Sequence, residues 1–129
     1  MTIVDWYSVM AAASDAARYY KDIKFSGVYG VPRGGLVLAV LLSHRMGIPL
    51  LTEPDDHCLI VDDVYETGRT LDAIREENPG ASFYVIAAKK DFSYGVAYRQ
   101  VAIEEWLVFP WEDKDKAHAD QEAYHASRQ

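Results

Sequence analysis

Residues 61–70 read VDDVYETGRT and place two adjacent carboxylates a few positions ahead of a cluster of hydroxyl and amide donors. Asp62 and Asp63 suit the vicinal hydroxyls of a ribose. Thr67, Gly68, Arg69 and Thr70 lead into a helix-like stretch, where unpaired amides and the helix dipole favour a phosphate. The apolar run Cys58, Leu59 and Ile60 reads as a strand that carries the acids to its carboxyl end. The segment as a whole therefore reads as a ribose 5-phosphate site. A plain strand end, or an acidic phosphoacceptor pocket of the response-regulator kind, would account for the aspartates, but neither uses TGRT.

Such a site needs elements that bring the acids and the phosphate loop to one cleft. Asp5 is placed to cap a helix on which Trp6, Val9, Met10, Ala13, Ala17 and Tyr20 recur at three-to-four spacing, so these side chains, aromatics included, are expected in the core. Residues 26–31 are short and β-prone, residues 32–35 break the strand, and residues 36–46 form an almost wholly apolar helix closed by Gly47. Residues 48–51 give another strand, residues 53–57 a polar turn, and residues 58–61 the strand ahead of the acids. A helix over 70–77 ends at Asn78, Pro79 and Gly80, and Phe83, Val85 and Ile86 lie in a further buried strand. This alternation predicts an α/β fold with a Rossmann-like parallel sheet flanked by helices. Its ligands would bind beyond the carboxyl ends of the strands, where loops 32–35 and 62–70 should meet.

With 129 residues, the chain has the size of one domain with a single core. That domain is expected over residues 1–112, followed by a polar tail, 113–129, that is a solvated helix or frayed, with only Tyr124 and scattered alanines able to pack. His118 and His125 stand in the tail without partners at metal-ligand spacing and read as surface histidines. A formal net charge of −7 and the lack of a Lys/Arg run argue against nucleic acid as a partner. No apolar stretch approaches the ~20 residues needed to span a bilayer, and the N-terminus does not read as a signal peptide, so the expectation is a cytoplasmic protein without a membrane partner. Cys58, the single cysteine, reads as a small core residue with no disulfide or zinc pattern. A dinucleotide-binding reading lacks its GxGxxG fingerprint.

VDDVYETGRT resembles the phosphoribosyl pyrophosphate signature of the type I phosphoribosyltransferases, in which two acids and a spacer precede a TGxT loop. Residues 27–50, GVYGVPRGGLVLAVLLSHRMGIPL, are similar to the pyrophosphate loop of the same family, above all of its 6-oxopurine branch. The resemblance implies that Arg33, Gly34 and Gly35 hold pyrophosphate, with a non-proline cis peptide between Pro32 and Arg33. The glycines admit a close backbone approach, and the guanidinium offers a fork of donors. AAK at 87–89 with WLVFPWE at 106–112 looks like the purine-recognising end of xanthine, guanine and hypoxanthine phosphoribosyltransferases. By that likeness Lys89 would donate to the exocyclic oxygen of the base, Trp106 would stack on its ring, and the Leu107 backbone would meet its edge. A lysine donor suits an oxo group and not the amino group of adenine. Core roles for Trp106 and Trp111, with Lys89 as a strand-end surface charge, remain an alternative.

The resemblance also implies a reaction. Ribose 5-phosphate would pass from phosphoribosyl pyrophosphate to a guanine, xanthine or hypoxanthine base, giving the nucleoside monophosphate, with Glu66 as general base and magnesium held by Asp62, Asp63 and Glu112. Asp62 and Asp63 are expected to oppose the ionisation of Glu66 and raise its proton affinity. A small C-terminal hood over the sheet and a homodimer or higher homo-oligomer follow from the same likeness. Two departures stand out. Relatives usually carry aspartate at the position of Glu66, and they insert a long mobile loop where this chain has only residues 52–57. Without a lid, slow turnover, hydrolytic leakage or binding without transfer is expected, unless a neighbouring subunit closes the cleft. A noncatalytic nucleotide sensor of the same fold is the competing reading.

Overall fold

The computed structural model describes residues 1–127, with side chains through Ala123. The expectations for Tyr124 and His125 lie outside the described side chains. In chain order the elements are β1 (Thr2–Ile3), α1 (Trp6–Tyr19), β2 (Val28–Gly30), α2 (Leu36–Met46), β3 (Leu50–Leu51), β4 (Leu59–Tyr65), α3 (Arg69–Glu77), β5 (Ser82–Ala88), β6 (Val96–Gln100), β7 (Leu107–Val108) and α4 (Lys114–Ser127). Five strands form a parallel sheet in the order β3-β2-β4-β5-β6. β1 and β7 pair in parallel as a separate two-stranded ribbon, the base of the expected hood.

Successive side chains along each strand point to opposite faces, and both faces are covered, so the core has two layers. Val28, Leu59, Val61, Tyr84 and Ile86 pack against α1 and α2 on one face. Cys58, Ile60, Phe83 and Val85 pack on the other face against Leu71 and Ile74 of α3 and the rings of Tyr65, Phe92 and Tyr94. The Cys58 thiol is fully buried, as expected of a core residue, and burial pushes its pKa up.

Asp5 caps α1, its Oδ1 accepting from the Ser8 amide at 2.8 Å. The buried stripe of α1 is Val9, Ala12, Ala13 and Ala16, continued by Tyr20, whose hydroxyl donates to the Phe83 carbonyl at 3.0 Å. Trp6 and Met10 do not join it. Trp6 is 50% exposed and Met10 38%. The small alanines bring α1 so close to its neighbours that these two larger side chains sit at the margin, Trp6 beside Trp111 with ring centroids 6.0 Å apart. α2 runs over the expected residues and stops at Gly47, with φ 64°. The other expected boundaries shift by one or two residues, except that β4 runs on to Tyr65 and holds both acids within the strand. The tail is helical over Lys114–Ser127, with Ala117 buried. Among the described residues no helix is long and apolar enough to cross a membrane.

Topology decides where the cleft lies. From β2 the chain crosses to β3 on one side and then returns to β4 on the other, so β2 and β4 flank the switch point of the sheet. α2, following β2, covers one face, and α3, following β4, covers the opposite face. The loops after β2 and β4 therefore part at this point and leave a crevice between them.

Candidate functional site

β4 outruns its neighbour. Its pairing with β2 ends at Gly30↔Val61, whereas its pairing with β5 continues to Tyr65↔Ala88. Asp62 and Asp63 thus project where β2 has already turned away into the loop of Arg33, Gly34 and Gly35. Each acid also folds onto the chain that follows it. Asp62 Oδ1 accepts from the Asp63 amide at 2.8 Å, and Asp63 Oδ1 from the Val64 amide at 2.7 Å.

Three adjoining hollows meet at the acids. The first, about 190 Å³, is bordered by Asp62, Glu66 and the run Thr67, Gly68, Arg69 and Thr70. The second, about 630 Å³, lies between Arg33 and Gly34 on one side and Trp111, Glu112 and Lys116 on the other, with Asp63 at its edge. The third, about 200 Å³, is bordered by Asp63, Glu66, Lys89, Trp106, Leu107 and Glu112. Glu66 is common to the first and third, Asp63 to the second and third. Every site residue expected from the sequence except Gly35 borders a hollow. Gly35 is buried beneath the loop, where an added Cβ would meet the Val61 carbonyl at 2.5 Å.

The loop at residues 67–70 is an open helix start. Gly68 stands at the N-cap of α3 with φ 88°, a left-handed conformation that glycine adopts without strain, and the cap residue itself has no side chain to bond the first amides. Thr67 Oγ1 lies 3.4 Å from the Arg69 amide, and the Asp72 amide donates to the Gly68 carbonyl at 2.8 Å. Beneath this turn the hydroxyls of Tyr65 and Tyr94 both donate to Asp72 Oδ1, at 2.8 and 2.5 Å. These bonds hold the Asp72 carboxyl below its usual range, the one to Tyr94 contributing most. The brace was not read from the sequence. Tyr65 lies inside the signature, but only the fold brings Tyr94 back to it.

The acid pair is electrostatically frustrated. Burial first, and then the charge of Asp63, push the Asp62 carboxyl up to about 8. Burial also raises Asp63, and the charge of Glu66 adds to this. A cation or a set of hydroxyl donors at this point would relieve the strain. Glu66 itself meets a cation that the sequence reading assigned elsewhere. Lys89, with a side chain only 5% exposed, donates from Nζ to Glu66 Oε1 at 2.6 Å. The carboxylate expected to act as base and the ammonium expected to meet the purine oxygen are thus paired. Lys89 Nζ also lies 6.0 Å from the centroid of the Trp106 ring. Glu112 turns its Oε1 to the Phe109 amide at 2.9 Å, which commits one of its oxygens to the backbone.

The peptide between Pro32 and Arg33 is cis, as the resemblance implied. The connection from β3 to β4 is a tight turn in which Asp55 accepts from Ser26 Oγ at 2.7 Å and from the His57 amide at 2.8 Å, so no lid is present there.

No family model matches the chain. Among curated proteins it is similar to the xanthine-guanine phosphoribosyltransferase of Idiomarina loihiensis, 27% identical over 84% of this chain and 85% of the relative. It is also similar to that of Chromohalobacter salexigens, 30% identical over 68% and 69%. Among solved structures it superposes on a purine phosphoribosyltransferase from Pyrococcus horikoshii Ot3 with a TM-score of 0.74 and 31% identity, covering 87% of this chain and 94% of the other. The xanthine-guanine-hypoxanthine phosphoribosyltransferase of Helicobacter pylori shares the fold, with a TM-score of 0.71 at 17% identity. With the acid pair, the open turn at residues 67–70 and the arginine-glycine loop gathered at one switch point, these likenesses show that the chain belongs to the type I phosphoribosyltransferase family, near its 6-oxopurine members.

Proposed function

We propose that the protein transfers ribose 5-phosphate from phosphoribosyl pyrophosphate to a 6-oxopurine, releasing pyrophosphate. The observation that carries this reading is the meeting of the three hollows at Asp63 and Glu66, with a phosphate turn at one end, an arginine loop at the second and a lysine-tryptophan pair at the third. The amides of Thr67, Gly68, Arg69 and Thr70 would hold the 5-phosphate, the carboxylates of Asp62 and Asp63 the ribose hydroxyls, and Arg33 the pyrophosphate. Charge developing on the ribose as the bond to pyrophosphate breaks would be stabilised by the two carboxylates.

The Lys89–Glu66 pair supports a 6-oxopurine over adenine. A 6-oxopurine presents an oxo acceptor beside a ring N–H donor, and the pair presents an ammonium donor beside a carboxylate acceptor. The base edge can therefore replace the ion pair bond for bond. As one imidazole nitrogen attacks the anomeric carbon, the electrons of the breaking C–O bond leave with pyrophosphate, and the proton of the other nitrogen passes to Glu66. Adenine would set its amino group against the ammonium.

The donor set fits magnesium. Two adjacent carboxylates of raised proton affinity stand beside the hollow expected to take phosphates, and among the described residues no group of three or more protein ligands could hold a metal unaided. Magnesium is commonly bound by one or two carboxylates and completed by water and substrate phosphate oxygens. Asp62 and Asp63 would hold it, with the second oxygen of Glu112 within the adjoining hollow, and when bound it would stabilise negative charge on the leaving pyrophosphate.

The test is product formation from phosphoribosyl pyrophosphate, magnesium and each of guanine, xanthine, hypoxanthine and adenine, with Glu66→Ala alongside. The expected result is nucleoside monophosphate from at least one oxopurine, little from adenine, and a loss of about 10²-fold or more in the variant. Absence of product from every base overturns the transferase reading.

A further inference from the structure

The second hollow has a wall that the sequence did not assign to the site. Opposite Arg33 and Gly34 stand Trp111 and the first turn of α4, with Lys116 on the lining. That turn is firmly seated. Trp111 stacks on Phe109 at 5.0 Å with an interplanar angle of 8°, and Ala117 is 5% exposed. Asp113 caps the helix, its Oδ1 accepting from the Lys116 amide at 3.0 Å and its carbonyl from the Ala117 amide at 2.8 Å. Two of the acids on this wall each direct one oxygen to the backbone, Asp113 to the cap and Glu112 to the Phe109 amide.

We propose that Lys116 is a pyrophosphate-positioning residue, supplying from α4 a second cation on the hollow that Arg33 also borders. A single guanidinium approaching from one side can fork onto one phosphate and leaves the far oxygens to water. A lysine on the opposite wall, with a compact charge on a long stem, can reach them. Asp120, one turn further along α4, also lines the hollow.

This inference rests on the proposed function, so its test uses ligands that separate the two. Inorganic pyrophosphate with magnesium, phosphoribosyl pyrophosphate with magnesium, and guanosine monophosphate are titrated calorimetrically into the wild-type chain, Lys116→Ala and Lys116→Arg. The nucleoside monophosphate would fill the first and third hollows but not the second. The expected result is about tenfold weaker binding of both pyrophosphate-containing ligands by Lys116→Ala, near-complete rescue by arginine, unchanged guanosine monophosphate affinity and an unchanged melting temperature. Equal pyrophosphate affinity in Lys116→Ala and wild type overturns the role of Lys116 and leaves the proposed function standing. A parallel loss for all three ligands assigns the residue to the fold and also overturns it. If the wild-type chain binds neither phosphoribosyl pyrophosphate nor the monophosphate, the proposed function fails and takes this inference with it.

Discussion

Gly34→Ala tests the site at its narrowest point. A Cβ added at Gly34 would overlap the Asp63 carboxylate, lying 2.5 Å from its Cγ, whereas ordinary contact begins at 3.4 Å. The carboxylate must therefore retreat by at least 3.4 − 2.5 = 0.9 Å at Cγ, and further at Oδ2, which lies nearer still, because the loop cannot easily give way: the Gly35 amide behind it is bonded to the Val31 carbonyl at 2.8 Å. A displacement of that size breaks the 2.7 Å bond from the Val64 amide, which costs about 1 kcal/mol of stability. It also moves the carboxylate away from the ribose. Losing one charge-assisted bond of about 1.5–3 kcal/mol corresponds to roughly 10- to 100-fold in affinity for phosphoribosyl pyrophosphate. Calorimetric titration and thermal melting separate these effects. Gly35→Ala serves as the contrast, since its Cβ would meet the Val61 carbonyl at 2.5 Å and the Val31 amide at 2.8 Å. Those atoms are backbone, so this variant should lose stability by about 1–3 kcal/mol. The reasoning is refuted if Gly34→Ala binds the ligand as tightly as the wild type, or if its melting temperature falls as far as that of Gly35→Ala.

Asp62→Asn should flatten the pH dependence of stability in the ligand-free protein kept in chelator. The folded state raises the Asp62 carboxyl to about 8, so it holds a proton that the unfolded chain releases near 4. The associated stability is present below about 4 and lost as pH rises through about 8, and the variant should outlast the wild type at pH 9 by about 1–3 kcal/mol, less than the literal worth of the shift because charge in the cleft is relieved by water. Melts at pH 5 and pH 9 check this, and an equal gap between the two proteins at both pH values would contradict it. Tyr65→Phe removes the 2.8 Å bond to Asp72 under the phosphate turn and should cost about 1 kcal/mol of stability. It should also weaken ribose 5-phosphate binding several-fold while sparing inorganic pyrophosphate, and equal losses for the two ligands would show that the brace does not act on the phosphate turn.

The sheet was legible because parallel strands buried on both faces are near-continuous apolar runs, as in Leu59–Val61 and Phe83–Ala88, and because the apolar helix 36–46 ends at a glycine. The short β1–β7 ribbon was not, since a two-residue strand carries no periodicity and its partner lies 105 residues away in Thr2↔Leu107. Trp6 misled for a related reason. Helical spacing shows which side chains share a face, but how closely the neighbouring helix approaches decides whether the edge of that face is covered.

The signature residues determined by themselves which groups the candidate site offers: adjacent carboxylates, an open helix start and an arginine beside two glycines are properties of short segments, and the order of residues sets their local geometry. Only the tertiary structure decided what those groups face. The crossover from β2 through β3 to β4 brings Gly34 against Asp63, the parallel pairing of β4 with β5 sets Lys89 on Glu66, and the seating of Trp111 on Phe109 brings the start of α4, with Lys116, to the hollow that Arg33 borders. Each is a contact between residues far apart in the chain, and such contacts depend on sheet order and helix placement, which no local pattern of residues encodes.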